Sequence, residues 1–274
     1  MTKVAAIIVN RNLPAETDAV VDSLLRHDAD LVDAFVVESG SDDDRLSRHC
    51  TWHATDPEAR AHGLRFCRGI NFGLTKLLAE GRFLDYDAFL LMTNDCELGD
   101  HPVVAPLLDV LERHPRVGLL SPCSRRWGER ALLESMPTRY LWYAHNAAML
   151  VRRQFVESIM EIEAPDHMNF LYDGSNFRGY GSDLEITAKG YANDWATAIT
   201  SRVMVEENER HLLDKASLIK TESYEENFRL YLEEGKLWMR RKYGFNSRWM
   251  MQVYAKMLYD DFFKNYPEYA EFRI

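Results

Sequence analysis

Carboxylates that follow an apolar strand are the residues of this sequence best placed to do chemistry. Ala88-Phe89-Leu90-Leu91-Met92 is an unbroken apolar run, which predicts a short strand buried on both faces, and Thr93-Asn94-Asp95 stops it abruptly. In an open α/β sheet ligands bind beyond the carboxyl ends of the strands, so Asp95 and Glu97, two residues apart in an extended turn, can face one cation together. A metal-bound phosphate is the natural guest of such a pair. The spacing alone leaves a second reading open, an Asx turn in which Asp95 bonds the next backbone N–H groups. A further pair, Asp183 and Glu185, opens a segment closed by Gly190, in which Ser182 or Asp183 would cap a short helix.

The elements that must position these groups are read from periodicity. An apolar run at 4–9 ends in Asn10-Arg11-Asn12-Leu13-Pro14, helical spacing of Val20, Val21, Leu24 and Leu25 follows, and 34–37 gives a second strand ended by Glu38-Ser39-Gly40-Ser41-Asp42. Strand, helix, strand implies a parallel pair. Residues 43–66 carry little periodicity and are expected as loop and irregular turn, after which Cys67-Arg68-Gly69-Ile70-Asn71-Phe72-Gly73 opens a helix. A strand at 84–92, a helix at 102–114 and a strand at 117–120 continue the alternation, which predicts an α/β fold with a doubly wound, mostly parallel sheet flanked by helices. Beyond it, 125–139 reads as a variable surface loop, 147–151 as a strand, 154–163 as a helix and 195–205 as a strand. Residues 170–180, rich in Gly, Asn and aromatics, read as a loop that lines a site. Two amphipathic helices, 224–243 and 247–266, form a helical C-terminal extension over 214–274 that follows a domain over 1–213.

The chain has 274 residues, 46% of them hydrophobic, enough for one large domain with an appendage. Lys and Arg number 33 against 43 Asp and Glu, a net charge of -10 that disfavours nonspecific nucleic-acid binding through phosphate neutralisation. No apolar run approaches the roughly 20 residues that span a bilayer, and the N-terminal apolar stretch is too short for a signal peptide, so a cytoplasmic protein is expected. Cys50, Cys67, Cys96 and Cys123 are scattered without C-x-x-C spacing, which suggests neither a zinc site nor a disulfide framework.

Six segments, in order over about residues 4–206, resemble the glycosyltransferase family 2 pattern of inverting, GT-A type enzymes. They are Ile7-Ile8-Val9-Asn10-Arg11-Asn12, Val36-Val37-Glu38-Ser39-Gly40-Ser41, Arg68-Gly69-Ile70-Asn71-Phe72-Gly73, Leu91-Met92-Thr93-Asn94-Asp95-Cys96-Glu97-Leu98, Asn146-Ala147-Ala148-Met149-Leu150-Val151-Arg152-Arg153 and Tyr180-Gly181-Ser182-Asp183-Leu184-Glu185-Ile186. The resemblance implies a GT-A domain over 1–213 that binds a nucleoside diphosphate sugar, UDP- or dTDP-linked, and transfers one sugar to an acceptor hydroxyl on a glycan or lipid-linked saccharide. It assigns Asn10, Asn12, Glu38, Arg68, Asn71 and Asn94 to the donor, and Asp95 and Glu97 to a divalent cation, manganese or magnesium, that bridges the diphosphate. Asp183 stands where the family has its general base. Ser182 replaces the acidic residue before it, which leaves Glu185 as an alternative base on the acceptor side, with Trp142 and Tyr180 as aromatic candidates for sugar stacking. Where the family commonly has a metal-side histidine, this sequence has Glu206, with His211 five residues later; His145 receives no role.

Two other classes fit the pattern less well. A nucleotidyltransferase would carry a glycine-rich loop after the first strand, and Asn10-Arg11-Asn12-Leu13-Pro14 has no glycine. A noncatalytic sugar- or nucleotide-binding module on the same fold is kept open by Ser182 and Glu206. The basic and aromatic mixture at 236–259 would suit peripheral membrane association, a homodimer contact, or packing across the catalytic sheet.

Overall fold

The structure, a computed structural model, describes residues 2–208 and 210–274, with His211 and Leu212 described by backbone alone. The chain opens with β1 (Val4–Asn10), α1 (Pro14–His27) and β2 (Val32–Glu38), continues through β3 (Cys50–His53), α2 (Pro57–His62) and α3 (Arg65–Ala79), and reaches β4 (Ala88–Thr93) and the two-residue β5 (Cys96–Glu97). Next come α4 (Val104–Arg113), β6 (Val117–Cys123), β7 (Thr138–Leu141), β8 (Ala148–Arg152) and α5 (Arg153–Ile159). The last part holds α6 (Ser182–Ala192), β9 (Ala196–Met204), the short β10 (Glu206–Glu207), α7 (Arg210–Asp214), α8 (Tyr224–Tyr243) and α9 (Arg248–Asn265). Residues 43–66, expected as loop, instead contain β3 and α2. Asp56 caps α2, accepting from the Ala59 N–H at 2.9 Å, and Pro57 occupies its first turn. The expected surface loop at 125–139 carries a short 3-10 turn, Gly128–Leu133, and ends in β7.

Among the described residues eight strands form one sheet in the order β3-β2-β1-β4-β8-β6-β9-β7. The pairings from β3 to β4 are parallel, β8 runs antiparallel to both neighbours, β6 and β9 are parallel, and β7 closes the edge antiparallel. Alternation along β1 divides the core in two. Val4, Ala6 and Ile8 pack with Val20, Val21 and Leu24 of α1 and Leu107 and Leu111 of α4, whereas Ala5 and Ile7 pack with Ile70, Leu74 and Leu77 of α3. The pattern predicted for α4 lacks its cap, which comes from far away: Asp28 accepts from the N–H groups of Val103, Val104 and Ala105 at 2.8, 3.1 and 3.1 Å.

The C-terminal helices lie on this body. Met251, Ala255, Tyr259, Phe262 and Phe263 form the buried stripe of α9; the first two meet Leu184 and Ala188 of α6, and the last three join the core above the sheet. Trp238 and Met239 of α8 complete the contact with α6. The other face of α9 is exposed, with Trp249 at 72% and Met257 at 59%. No helix among the described residues is long and apolar enough to cross a membrane.

Candidate functional site

The carboxyl ends of β1 and β4 open into a cavity of about 180 Å³ whose walls include Asn10, Arg11, Ser39, Arg65, Asn94, Asp95, Ile219 and Thr221. Asn94 is fixed by donating to Asn10 Oδ1 at 2.9 Å and Thr17 Oγ1 at 3.2 Å. Asn10 in turn donates to Glu38 Oε2 at 2.8 Å. Two guanidiniums stand here that sequence reasoning did not single out. Arg11 donates to the carbonyls of Ile219 at 2.7 Å and Ala59 at 2.8 Å, and Arg65, the first residue of α3, donates to Thr221 Oγ1 at 2.7 Å and Glu222 Oε2 at 3.3 Å. Burial, then repulsion from another guanidinium, weakens the hold of each on its proton: Arg65 acts on Arg11, and Arg178 acts on Arg65. All five Arg11 N–H groups are taken by backbone carbonyls, those of Ile219, Ser39, Ala59, Arg60 and Ala61, so Arg11 brings charge to the cavity without a free donor, and Arg65 is the guanidinium an anion there would meet. Arg65 carries no local motif; only the approach of 219–222 from the far end of the chain marks it.

Several expected donor contacts are spent inside the protein. Glu38 is fully buried, with Oε2 accepting from Asn10 and from Ser41 Oγ at 2.6 Å, and Oε1 accepting from the Ser47 N–H at 2.7 Å. It ties the loop after β2 together and does not face the cavity. Asn12, at φ +58°, is likewise buried, donating to Leu218 O at 2.8 Å and accepting from the Asp42 N–H at 2.7 Å. Arg68 points from α3 to Glu58 at 2.7 Å and to Gly174 O at 2.7 Å, over the Phe177 ring, and does not line the strand-end cavity. Asn71 holds the 167–172 loop through four hydrogen bonds, to His167 O, Tyr172 O, Leu171 N and Tyr172 N. The nearby glycines serve packing: a Cβ at Gly69 would meet Val9 at 2.7 Å, and one at Gly73 would meet Ile7 at 2.7 Å, so both let α3 lie close on β1.

Asp95 and Glu97 share a second cavity, of about 300 Å³, with Glu16, Asn94 and Asn208. The segment is pinned by β10, which pairs antiparallel with β5, and by Asn208, whose N–H donates to Asp95 O at 2.9 Å and whose side chain donates to Glu97 Oε1 at 3.0 Å. Cys96 between them is buried, its thiol donating to Ala147 O at 2.8 Å, and burial pushes its pKa well up. Glu206 is turned toward the loop after β6, accepting from Ser124 Oγ at 2.8 Å and the Arg125 N–H at 3.0 Å. It is therefore not directed at a cation beside Asp95, and the side chain of His211 lies outside the described residues. Among the described residues no group of three or more His, Cys, Asp or Glu is arranged to hold a metal ion. Asp95 borders both cavities and Glu97 only the second; carboxylate oxygens of this kind suit a hard divalent cation that completes its shell with other oxygens.

Asp183 occupies a third cavity, of about 570 Å³, walled by Trp142, Tyr143, His145, Glu129 and the α9 residues Arg248, Trp249, Val253 and Lys256. It sits in the first turn of α6, entered through Gly181 at φ +82°. Its Oδ2 accepts from Arg248 at 2.9 Å. Burial pushes the Asp183 carboxyl above its ordinary value, with Arg248 and the backbone N–H groups of the helix start opposing that rise. Residues two apart on a helix point about 200° apart, so Glu185 faces away from Asp183. Itself buried, it accepts from Lys242 Nζ at 2.8 Å and from the Tyr243 hydroxyl, both at the exposed end of α8. Tyr180, too, packs inward against Tyr231 and the notch at Gly235, leaving Trp142 as the aromatic of the two that lines the cavity. His145 also lines it, stacked on Trp127, with burial lowering its pKa against the pull of Glu129. Asp95 and Asp183 thus belong to separate cavities.

No family model matches the chain, and no curated protein matches it. Solved structures do. GalNAc-T7 crystallised with UDP, GalNAc and Mn²⁺ superposes with a TM-score of 0.57 at 10% identity, over 98% of this chain and 58% of that one. TarS of S. aureus in complex with UDP gives 0.51 at 12% identity, over 88% of this chain and 74% of that one. A further TarS structure gives 0.53 at 12% identity, over 85% of this chain and 39% of that one. The chain spans little more than half the length of the first of these. At such identities the likeness is one of fold, and it is the GT-A type α/β fold with a C-terminal helical region.

Proposed function

We propose that this chain, which has the GT-A type fold, is an inverting glycosyltransferase that moves one sugar from a UDP- or dTDP-linked donor to an acceptor hydroxyl. The observation that carries the reading is the placement of Asp95 at the carboxyl end of β4, in the same cavity wall as the half-buried guanidiniums Arg11 and Arg65. Structures of the same fold hold UDP, and one of them Mn²⁺ as well. Asp95, with Glu97 beside it, would hold the divalent cation, and the cation would supply Lewis-acid stabilisation of the departing diphosphate. Arg65 would carry part of the same anionic charge. Asp183 would accept the proton of the attacking hydroxyl, and its raised pKa brings it nearer to a useful base.

For the acceptor, a lipid-linked saccharide is the reading we favour. Trp249 and Val253 both line the Asp183 cavity and stand on the exposed face of α9, with Met250, Tyr254 and Met257 continuing it. An apolar tail leaving the cavity would have that face to lie on, and the same face would bring the protein to a membrane surface from the cytoplasmic side. Incubation with a panel of nucleoside diphosphate sugars and Mn²⁺, read as release of nucleoside diphosphate, tests the reaction class. Turnover of at least one donor supports it, and inertness to every donor while UDP still binds would favour a noncatalytic binding module.

A further inference from the structure

The acceptor side of the proposed site is not built by residues 1–213 alone, and one contact from the C-terminal extension reaches its proposed base. Arg248, the first residue of α9, places a terminal nitrogen 2.9 Å from Asp183 Oδ2. Its guanidinium lies over the Tyr180 ring, 5.4 Å from the centroid. Tyr180 is set by α8: it meets Tyr231 edge to face at 4.8 Å and fits a notch at Gly235, where any Cβ would overlap its own Cβ and ring. Gly235, Tyr180, Arg248 and Asp183 therefore form a continuous series of contacts from the middle of α8 to the first turn of α6.

The other groups around Asp183 do not compete for this role. Tyr231 from α8, Tyr143 before β8, and Cys67 and Tyr172 on the buried side all have pKa values raised by burial, to about 12 for Tyr231 and Cys67, and are neutral near pH 7. Lys256 of α9 lines the cavity but is held by Asp260 at 2.8 Å. Glu129 accepts from Tyr143 at 2.8 Å and stands 3.6 Å from His145 Nε2.

We propose that Arg248 is a positioning residue for Asp183, holding its carboxylate at the cavity wall in the ionised form, so that the C-terminal helices complete the acceptor side of the site. The proposal rests on the glycosyltransferase reading for its catalytic consequence, but the state of Asp183 can be measured without turnover. In the full-length chain labelled with ¹³C at aspartate carboxyls, with the Asp183 signal identified by its loss in Asp183→Asn, Arg248→Ala raises the Asp183 titration midpoint by about one pH unit or more, and Arg248→Lys recovers most of the shift. With any donor that turns over, Arg248→Ala moves the acidic limb of the rate profile up by the same amount and leaves the affinity for UDP within about twofold. Unfolding of Arg248→Ala would leave Arg248→Lys and Arg248→Gln to be compared, and an Asp183 midpoint identical in those two overturns the proposal. An unmoved midpoint in folded Arg248→Ala also overturns it. A shifted midpoint in a protein that turns over no donor removes the glycosyltransferase reading and leaves the contact's effect on Asp183 standing.

Discussion

Arg65 and Glu222 meet at 3.3 Å on the rim of the strand-end cavity, 157 residues apart in sequence, and Glu222 is shared with Arg178, which donates to its other oxygen at 2.7 Å. Burial alone would raise the Glu222 carboxyl; backbone and side-chain hydrogen bonds, with Arg178 among the donors, outweigh it and bring the pKa down to about 2. Arg65 therefore holds the segment before α8 at the cavity, and it is also the guanidinium proposed above to meet the donor's charge. Arg65→Ala is expected to weaken UDP binding by roughly 10- to 100-fold, the loss of one charge-assisted contact, as read by calorimetry. Arg68→Ala, which breaks contacts to Glu58 and Gly174, is expected to change UDP affinity by less than about threefold while lowering the melting temperature.

The depressed Glu222 pKa has a signed consequence for stability. A carboxylate whose folded-state pKa lies below its unfolded value stabilises the fold above the unfolded pKa, and that contribution is lost as pH falls toward the folded value. The contribution of the Glu222 carboxylate is thus complete above about pH 5 and is lost between there and about pH 2. Melting curves of the wild type and Glu222→Gln should differ at pH 7 and converge toward pH 2.5; equal separation at both would show that the ion pair does not titrate as described.

Glu38 separates a structural role from a ligand-binding one. With three internal donors on a fully buried carboxylate, Glu38→Ala leaves the Asn10, Ser41 and Ser47 groups without their acceptor and is expected to cost about 3 kcal/mol or more, seen in denaturant unfolding. Glu38→Gln, close in shape, should cost less. A Glu38→Gln protein that melts like the wild type yet no longer binds UDP would return Glu38 to the donor site.

Asp183 and Glu185, two residues apart on α6, separate the proposed base from a carboxylate that ties α6 to α8. Asp183→Asn is expected to abolish sugar transfer, by 100-fold or more, while leaving UDP affinity unchanged, since general base catalysis typically contributes about 10²- to 10⁴-fold. Glu185→Gln disturbs the cluster with Lys242 and Tyr243 and should lower stability, with transfer by the folded protein kept within about fivefold. The reverse pattern, with Glu185 essential and Asp183 dispensable, would exchange their roles.

Much of the fold was legible because local pattern decides it. The apolar runs of β1, β2 and β4 and the spacing in α1, α8 and α9 each specify one element, and the polar stops after β1 and β4 place Asn10, Asn94 and Asp95 at the ligand edge. Residues 43–66 were misread because β3 has only four residues and α2 six, too few for a period to emerge. At the site, the residue type at a motif position said little about where its side chain points. Glu38 reaches Ser47; Arg68 turns toward Glu58; and three residues earlier Arg65 faces the cavity instead. Arg248 was illegible for a different reason: its partner lies 65 residues upstream, and nothing in the sequence near either residue records the pairing.

Assignment of Asp95 to a cation-bridged nucleoside diphosphate is tested by calorimetric binding of UDP, with and without Mn²⁺, to the wild type and to Asp95→Ala. Mn²⁺ is expected to strengthen UDP binding to the wild type by roughly tenfold or more, and Asp95→Ala, folded as judged by its melting curve, to lose that strengthening. Equal UDP affinity in all four combinations, or Mn²⁺ strengthening that survives in Asp95→Ala, would contradict the assignment of Asp95 to a cation-bridged nucleoside diphosphate.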